Sequence, residues 1–243
     1  RRGVDADSSV EISMIDGQQV WYTKEIPLSN QVVLDLGANR GDLSQFFWTA
    51  GRGSNKVISV EPLPQNYKLI EKKIKKSKAK NWLLERCAVA DYAGEMPMAR
   101  QHSKKYGWNS MNAALTPTTE ADDIIAVEVK PLAAIAPEPT VIKMDIEGGE
   151  YVILDRYVAD LATVNTWAVE LHMLPDRPLG QVLALFTNQG FGLIAAGRDA
   201  NNISGAWVSM PITSQLEWRQ IPATNRSRDG REFKMLHIIA RRG

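Results

Sequence analysis

Residues 32–42 read VVLDLGANRGD, and this stretch decides the fold of the 243-residue chain. Apolar and β-branched residues run into Gly37, a second glycine follows at Gly41, and an amphipathic segment occupies residues 43–49. This order predicts a buried strand, a tight turn and a helix. Gly37 permits backbone angles that a side chain disfavours, and Gly41 lets the helix begin close to the strand and to a ligand. The first N–H groups of the helix then point at the carboxyl end of the strand, where open α/β sheets bind ligands.

A second strand supplies the acid that a nucleoside site requires. Residues 57–60 (VISV) end at Glu61, about 20 residues beyond the glycine turn, where nucleoside-binding units place a carboxylate against the ribose hydroxyls. The alternative is an acid that is merely solvated at a strand end. The turn has Asn39 at the middle position of the dinucleotide pattern and lacks the Lys-Ser/Thr of a phosphate-binding loop. We therefore expect a nucleoside ligand without a pyrophosphate.

Three motifs, in order along the chain, resemble those of one enzyme family. Residues 35–41 (DLGANRG) resemble motif I of the class I methyltransferases that use S-adenosylmethionine. Residues 60–66 (VEPLPQN) resemble the ribose-binding segment FEPxPxN, and residues 142–150 (IKMDIEGGE) resemble the signature KxDxEGxE. Together, over about residues 32–197, they resemble the FkbM family of methyltransferases.

The resemblance implies a fold, a cofactor and a reaction. The fold is α/β, Rossmann-like and doubly wound, with a mostly parallel seven-stranded sheet of the class I methyltransferase type, and the alternation of strand and helix patterns agrees with it. The cofactor is S-adenosylmethionine, and the reaction is O-methylation of a hydroxyl on a carbohydrate or natural product. The cofactor-binding residues that it implies are Asp35, Gly37, Asn39, Gly41, Glu61, Asp91 and Asp145.

Asp91 follows a third predicted strand over residues 82–90. In similar methyltransferases an acid at this point accepts a hydrogen bond from the adenine amino group. The alternative is a turn residue that precedes Gly94. Both interpretations remain open from the sequence.

Acids and a histidine follow two further predicted strands. Asp145 ends the strand at residues 140–144, and Glu170 and His172 end the strand at residues 166–171. Neighbouring strands lie about 4.8 Å apart, so we expect these three side chains to converge. A histidine accepts protons near neutral pH, and a carboxylate holds its tautomer. We predict Asp145, His172 and Glu170 as the catalytic group.

Other roles for this group stay open. His172 is structural in one alternative, and Asp145 contacts the methionine portion of the cofactor in another. Glu147 and Glu150 are also explained by the dipole of the helix that follows them. The same residue types bind divalent cations, but no spacing in the sequence demands a metal, so no metal ligand is assigned.

The remaining segments complete the predicted organisation. Residues 10–23 alternate around Asp16-Gly17 and predict a β-hairpin, so residues 1–31 are assigned to an N-terminal hairpin extension and residues 32–243 to the methyltransferase domain. Polar loops at residues 100–119, 198–204 and 211–231 are expected to shape the acceptor pocket. Their candidate pocket residues are Trp108, Arg198, Trp218, Arg226 and Arg228.

Composition excludes several classes of protein. The net charge of +1 argues against a nucleic-acid surface, and the lysines of residues 68–80 fit the solvated face of a helix. One cysteine, Cys87, allows no internal disulfide and suits a reducing compartment. No signal peptide and no apolar run near the ~18 residues of a membrane span are present, so a cytoplasmic location is expected.

We expect a small-molecule or glycan hydroxyl acceptor as the partner, and the sequence leaves the oligomeric state open. Two alternatives to a methyltransferase are kept. An NAD(P)-dependent oxidoreductase of Rossmann type is disfavoured because the third glycine and a Tyr-x-x-x-Lys pair are missing. A methyltransferase-like domain that binds a partner without turnover is the other.

Overall fold

The structure is a computed structural model that describes residues 26–100, 123–136, 138–174, 176–198, 207–211, 225–226, 232–233 and 235–242. In these residues the strands are β1 (Val32–Leu36), β2 (Lys56–Val60), β3 (Trp82–Glu85), β4 (Ala88–Ala90), β5 (Gly94–Arg100), β6 (Asp123–Pro131), β7 (Val141–Met144), β8 (Thr166–His172), β9 (Gly192–Arg198), β10 (Trp207–Pro211), β11 (Asn225–Arg226), β12 (Glu232–Phe233) and β13 (Met235–Arg241). The helices are α1 (Asp42–Ala50), α2 (Pro64–Ser77), α3 (Leu132–Ile135), α4 (Glu150–Tyr157) and α5 (Leu179–Thr187).

The main sheet has the strand order β10-β9-β13-β8-β7-β1-β2-β3. Strands β3, β2, β1, β7 and β8 are parallel to one another. Strand β13 is antiparallel to both of its neighbours, β8 and β9, and β10 is antiparallel to β9. The predicted mostly parallel, seven-stranded sheet of the class I methyltransferase type is thus confirmed, with β10 added as an eighth strand. From β1 the chain proceeds to β2 on one side and later to β7 on the other, so the carboxyl ends of β1 and β7 border the switch point where such sheets bind ligands.

The core explains why β1 is apolar on both faces. Leu34 and Leu36 are buried in a cluster that includes residues of α4 and α5. Val33 points to the other face and packs in a cluster with Phe47 of α1 and Ile70 of α2. Helices on both faces therefore bury successive residues of the strand, as a parallel sheet requires. This double burial fixes the position of the glycine turn that follows β1.

The predicted third strand at residues 82–90 is wrong as a single element. It divides into β3, which pairs with β2 in the main sheet, and β4, which pairs with β6 in a separate three-stranded sheet. Ala88 and Val129 belong to a small core of that second sheet. The apolar pattern continues through the division, and because a pattern of burial carries no information on the hydrogen-bond partner, the sequence did not reveal it. Strand β5 was not predicted either.

Several predictions fall on residues that the structure does not describe. These are the hairpin at residues 10–23 and the pocket candidates Trp108, Trp218 and Arg228. The side chains of Arg198 and Arg226 lie outside the described part as well. Within the described ranges, no helix combines the length and the apolar character that crossing a bilayer requires.

Candidate active site

The glycine turn after β1 makes an approach that only glycine allows. Gly37 has φ +73°, and a Cβ placed on it would lie 1.8 Å from the carbonyl oxygen of Asp145. The N–H groups of Gly37 and Ala38 donate to the carbonyl oxygen of Val60 at 3.1 and 3.0 Å. The turn therefore lies across the carboxyl end of β2 and directly against the residue that follows β7. Gly41, at φ +75°, begins α1 and faces Ile70, whose Cγ1 would lie 2.8 Å from an added Cβ.

The Glu61 carboxylate is bound to this turn, and its predicted contact with a ribose stays a prediction. The N–H of Asn39 donates to Oε2 of Glu61 at 2.8 Å, and the N–H of Leu63 donates to Oε1 at 2.9 Å. The amide of Asn66 donates to Oε1 at 3.3 Å. Burial raises the pKa of Glu61 to about 7, although these hydrogen bonds and the charge of Lys143 oppose the shift. The side chain is only 4% exposed.

Asp35 lies in β1, two residues before Gly37, and is fully buried. The hydroxyl of Ser44 donates to Oδ2 of Asp35 at 2.5 Å, and the ammonium of Lys143 lies 3.3 Å from Oδ1. Lys143 also donates to the carbonyl oxygen of Gly37 at 2.9 Å. Lys143 on β7 thus connects the ends of β1 and β7 and fixes the position of the glycine turn through its bond to Gly37. The predicted contact of Asp35 with the cofactor stays a prediction.

A second tight turn joins β7 to α4. Glu147 and Gly148 have φ of +58° and +107°, a conformation that is uncommon for a residue with a side chain. The fully buried Glu150 accepts hydrogen bonds from the N–H groups of Ile146, at 3.2 Å, and Gly148, at 3.1 Å. The Glu150 carboxylate thus pairs with two backbone N–H groups of the turn between β7 and α4 and holds that turn in one shape.

His172 is bonded to that turn on both ring nitrogens. Nδ1 lies 3.0 Å from Oε1 of Glu150, and Nε2 lies 3.3 Å from Oε2 of Glu147. Burial lowers the pKa of His172, but the hydrogen bonds and charges of the two carboxylates outweigh it and raise that pKa well above 6.5. The predicted support from Glu170 or Asp145 is therefore corrected: Glu147 and Glu150 hold the ring. The left-handed backbone of Glu147 brings it to β8, and sequence spacing does not show that conformation.

Glu170 has a different partner. Its Oε2 lies 2.9 Å from Nε2 of His237, which stands opposite it in the β8–β13 register. Burial raises the pKa of Glu170, but the hydrogen bond and charge of His237, with the charges of His172 and Lys143, lower it overall. The sequence assigned no role to His237, because only the antiparallel pairing of β13 brings it to β8.

Asp145 completes the group at the end of β7. One ligand atom each of Asp145, Glu147 and His172 lie within 4.8 Å of one another. Oδ1 of Asp145 is buried without a hydrogen-bond partner. Burial raises the pKa of Asp145 well above 3.8, and the charges of Glu170 and Glu147 add to the increase against Lys143 and His172. The structure thus brings Asp145 and His172 together, as predicted, and adds Glu147 to them.

Asp91 does not follow a strand of the main sheet, unlike the residues described above. It is exposed and follows β4 of the three-stranded sheet, not the end of β3 in the main sheet. Its predicted contact with an adenine stays a prediction.

Comparison with known proteins agrees with the motifs. A model of the methyltransferase FkbM domain matches residues 35–193. Among solved structures, the chain is similar to methyltransferase FkbM from Methylobacillus flagellatus, with 17% identity and a TM-score of 0.45 over 62% of this chain and 36% of that one. It is also similar to a precorrin-6y C5,15-methyltransferase from Geobacter metallireducens, with 14% identity and a TM-score of 0.46 over 88% of this chain and 81% of that one.

A third similar structure is a SAM-dependent O-methyltransferase from Thermotoga maritima, with 10% identity and a TM-score of 0.43 over 88% of this chain and 60% of that one. The chain spans little more than a third of the length of the FkbM protein from Methylobacillus flagellatus, to which it was compared above. A comparison with curated proteins found no match. Because the family model covers more than half of the chain, from the glycine turn to β9, the chain belongs to the FkbM family of methyltransferases.

Proposed function

We propose that the chain uses S-adenosylmethionine to methylate a hydroxyl oxygen of a carbohydrate or natural-product acceptor. Membership of the FkbM family supports methyl transfer. The observation that carries the cofactor assignment is the 2.8 Å hydrogen bond from Asn39 to Glu61, which joins the glycine turn to the acid at the end of β2.

The residues around the glycine turn fit a nucleoside. Oε2 of Glu61 accepts from Asn39, and a carboxylate oxygen has a second lone pair that suits a ribose hydroxyl. A side chain at residue 37 would overlap the Asp145 carbonyl group, so Gly37 keeps the turn close to the strand end. When bound, S-adenosylmethionine supplies an electrophilic methyl group on its sulfonium sulfur. The residues that would hold it are those implied by the motifs: Asp35, Gly37, Asn39, Gly41, Glu61, Asp91 and Asp145.

We assign the acceptor to the carboxyl ends of β7 and β8. The groups gathered there are carboxylates and an imidazole, and such groups suit a hydroxylated ligand better than an apolar one. Glu147 and Glu150 fix the ring of His172, so the acceptor would meet a preorganised surface. Asp145, His172 and Glu170 remain the proposed catalytic group, and Glu147 joins it.

A turnover assay tests this proposal. Labelled methyl transfer from S-adenosylmethionine is measured with a panel of sugars, glycosides and hydroxylated polyketides, and an O-methylated product is expected. Turnover with NAD(P)⁺ instead would establish the oxidoreductase alternative. Binding of S-adenosylhomocysteine without methylation of any acceptor would favour a non-catalytic binding domain. A cytoplasmic location also stays a prediction.

A further inference from the structure

We propose that Asp145, Glu147 and His172 bind a divalent cation at the carboxyl ends of β7 and β8. One ligand atom from each residue lies within 4.8 Å of the other two. Ligand atoms that share one metal ion at about 2.1 Å lie roughly 3–4 Å apart, so a small inward movement closes the group on an ion. Two carboxylate oxygens and one imidazole nitrogen suit Mn²⁺ or Zn²⁺ better than Ca²⁺, which prefers oxygen ligands alone.

Asp145 supplies an independent indication of a ligand. Its Oδ1 is buried and has no hydrogen-bond partner. Buried polar atoms in folded proteins are nearly always paired, so an open buried acceptor calls for an explanation. A cation held with Glu147 and His172 would provide the missing partner.

The histidine is oriented as a metal-binding histidine is. Nδ1 lies 3.0 Å from Oε1 of Glu150, and a carboxylate in that position requires the proton on Nδ1. Nε2, which lies 3.3 Å from Oε2 of Glu147, would be the ligand nitrogen, and a bound cation would replace the proton that the two carboxylates stabilise on it. Carboxylates that bond the second ring nitrogen are the usual support of metal-binding histidines. Glu150 is itself held by the N–H groups of Ile146 and Gly148, so this support is rigid.

The backbone conformation at Glu147 is consistent with a metal site. Glu147 has φ +58°, a backbone angle that is uncommon for a residue with a side chain. That angle carries Glu147 from the β7–α4 turn to His172 on β8, so the three ligands come from two separate elements. If the proposed methyltransferase function holds, an ion here would bind the acceptor hydroxyl oxygen and make its proton more acidic.

A Mn²⁺ titration followed by electron paramagnetic resonance tests the site without an activity assay. The full chain is first treated with a chelator and dialysed, and bound Mn²⁺ is measured as the loss of the free-ion signal. We expect one Mn²⁺ per chain, displaced by Zn²⁺. Glu147→Gln and Asp145→Asn should each weaken Mn²⁺ binding at least tenfold. The matched control is Asp155→Asn, which removes a carboxylate of α4 that pairs with Arg177 outside the ligand set and should change the affinity by less than a few fold.

Circular dichroism is measured for every variant, so that loss of the fold is separated from loss of the ion, and binding of S-adenosylhomocysteine is measured for the wild-type protein. Absence of Mn²⁺ binding by wild-type protein that still binds S-adenosylhomocysteine would overturn the metal site and leave the proposed function standing. Unchanged Mn²⁺ affinity in both Glu147→Gln and Asp145→Asn would also overturn it. Mn²⁺ binding without S-adenosylhomocysteine binding would support the site and count against the proposed function.

Discussion

Two regions of the same sheet edge are built in different ways. At the ends of β1 and β2, the backbone N–H groups of Asn39 in the glycine turn and of Leu63 after β2 bind one buried carboxylate, Glu61. At the ends of β7 and β8, side chains bind one another, with His172 between Glu147 and Glu150. The first region depends on backbone shape that glycine encodes locally, and the second depends on register and on an unusual φ at Glu147. We infer that the first region binds the cofactor and the second binds the acceptor, so mutations should separate the two functions.

The largest effect is expected where the two regions touch. Gly37→Val places a Cβ where the Asp145 carbonyl oxygen stands and forces a β-branched residue to φ +73°. We expect a loss of about 3 kcal/mol or more in the free energy of unfolding, together with loss of cofactor binding, because the strand ends must move apart. Denaturant unfolding and calorimetric titration measure both quantities.

Gly180→Ala is the control for that change, since an added Cβ at residue 180 in α5 meets nothing within 4 Å. It should leave the unfolding free energy within about 1 kcal/mol of wild type. Equal stability of Gly37→Val and Gly180→Ala would show that the close approach at the turn is not required.

The second effect should fall on turnover alone. His172→Ala removes the ring that joins Glu147 to Glu150, so the acceptor surface is no longer preorganised and turnover should fall by roughly 10²-fold. Affinity for S-adenosylhomocysteine should stay within a few fold, because His172 lies on the acceptor side. A wild-type turnover rate in this variant would mean that proximity to the methyl donor is sufficient for catalysis.

The third effect should fall on cofactor binding, which His172→Ala leaves nearly unchanged. Glu61→Ala removes the acceptor of the Asn39 and Leu63 N–H groups and the proposed ribose ligand. We expect cofactor binding to weaken by roughly 1–3 kcal/mol, the cost of losing hydrogen bonds to a charged group. Titration calorimetry gives the value, and circular dichroism checks the fold. Unchanged affinity in folded Glu61→Ala protein would place the ribose elsewhere.

The smallest effect is a pH dependence of cofactor affinity, which tests the assignment of Glu61 as the ribose ligand. Burial raises the pKa of Glu61 to about 7, so the carboxyl is largely protonated at pH 6 and ionised at pH 8. Ribose hydroxyls donate more strongly to the ionised form, so affinity for S-adenosylhomocysteine should increase as the pH rises from 6 to 8 and level off above it. Glu61→Gln removes the titrating group and should abolish the dependence. The same pH dependence in Glu61→Gln would assign it to another group.

The difference between the regions explains what the sequence could predict. The glycine turn and Glu61 were recognised because strand, turn and acid follow within a short segment whose conformations glycine and apolar periodicity indicate. The parallel order of the sheet followed from the alternation of strands and helices. The contact of Lys143 with Asp35 depends on the register of β7 with β1, which residue patterns do not specify.

The acceptor side was predicted only in part. Asp145 and His172 were placed together because adjacent parallel strands end at one edge, and this is confirmed. The partners were wrong, because Glu147 reaches His172 through a left-handed angle and Glu170 bonds His237 across an antiparallel pair. Neither the angle nor the pairing of residues 67 positions apart is encoded in local spacing.

The central claim is that the glycine turn and Glu61 bind an S-adenosyl nucleoside. Isothermal titration of S-adenosylhomocysteine into the folded chain, with NAD⁺ titrated into a second sample, tests it most directly. The account predicts binding of one S-adenosylhomocysteine per chain and no heat from NAD⁺. Folded protein that binds NAD⁺ and does not bind S-adenosylhomocysteine would contradict it.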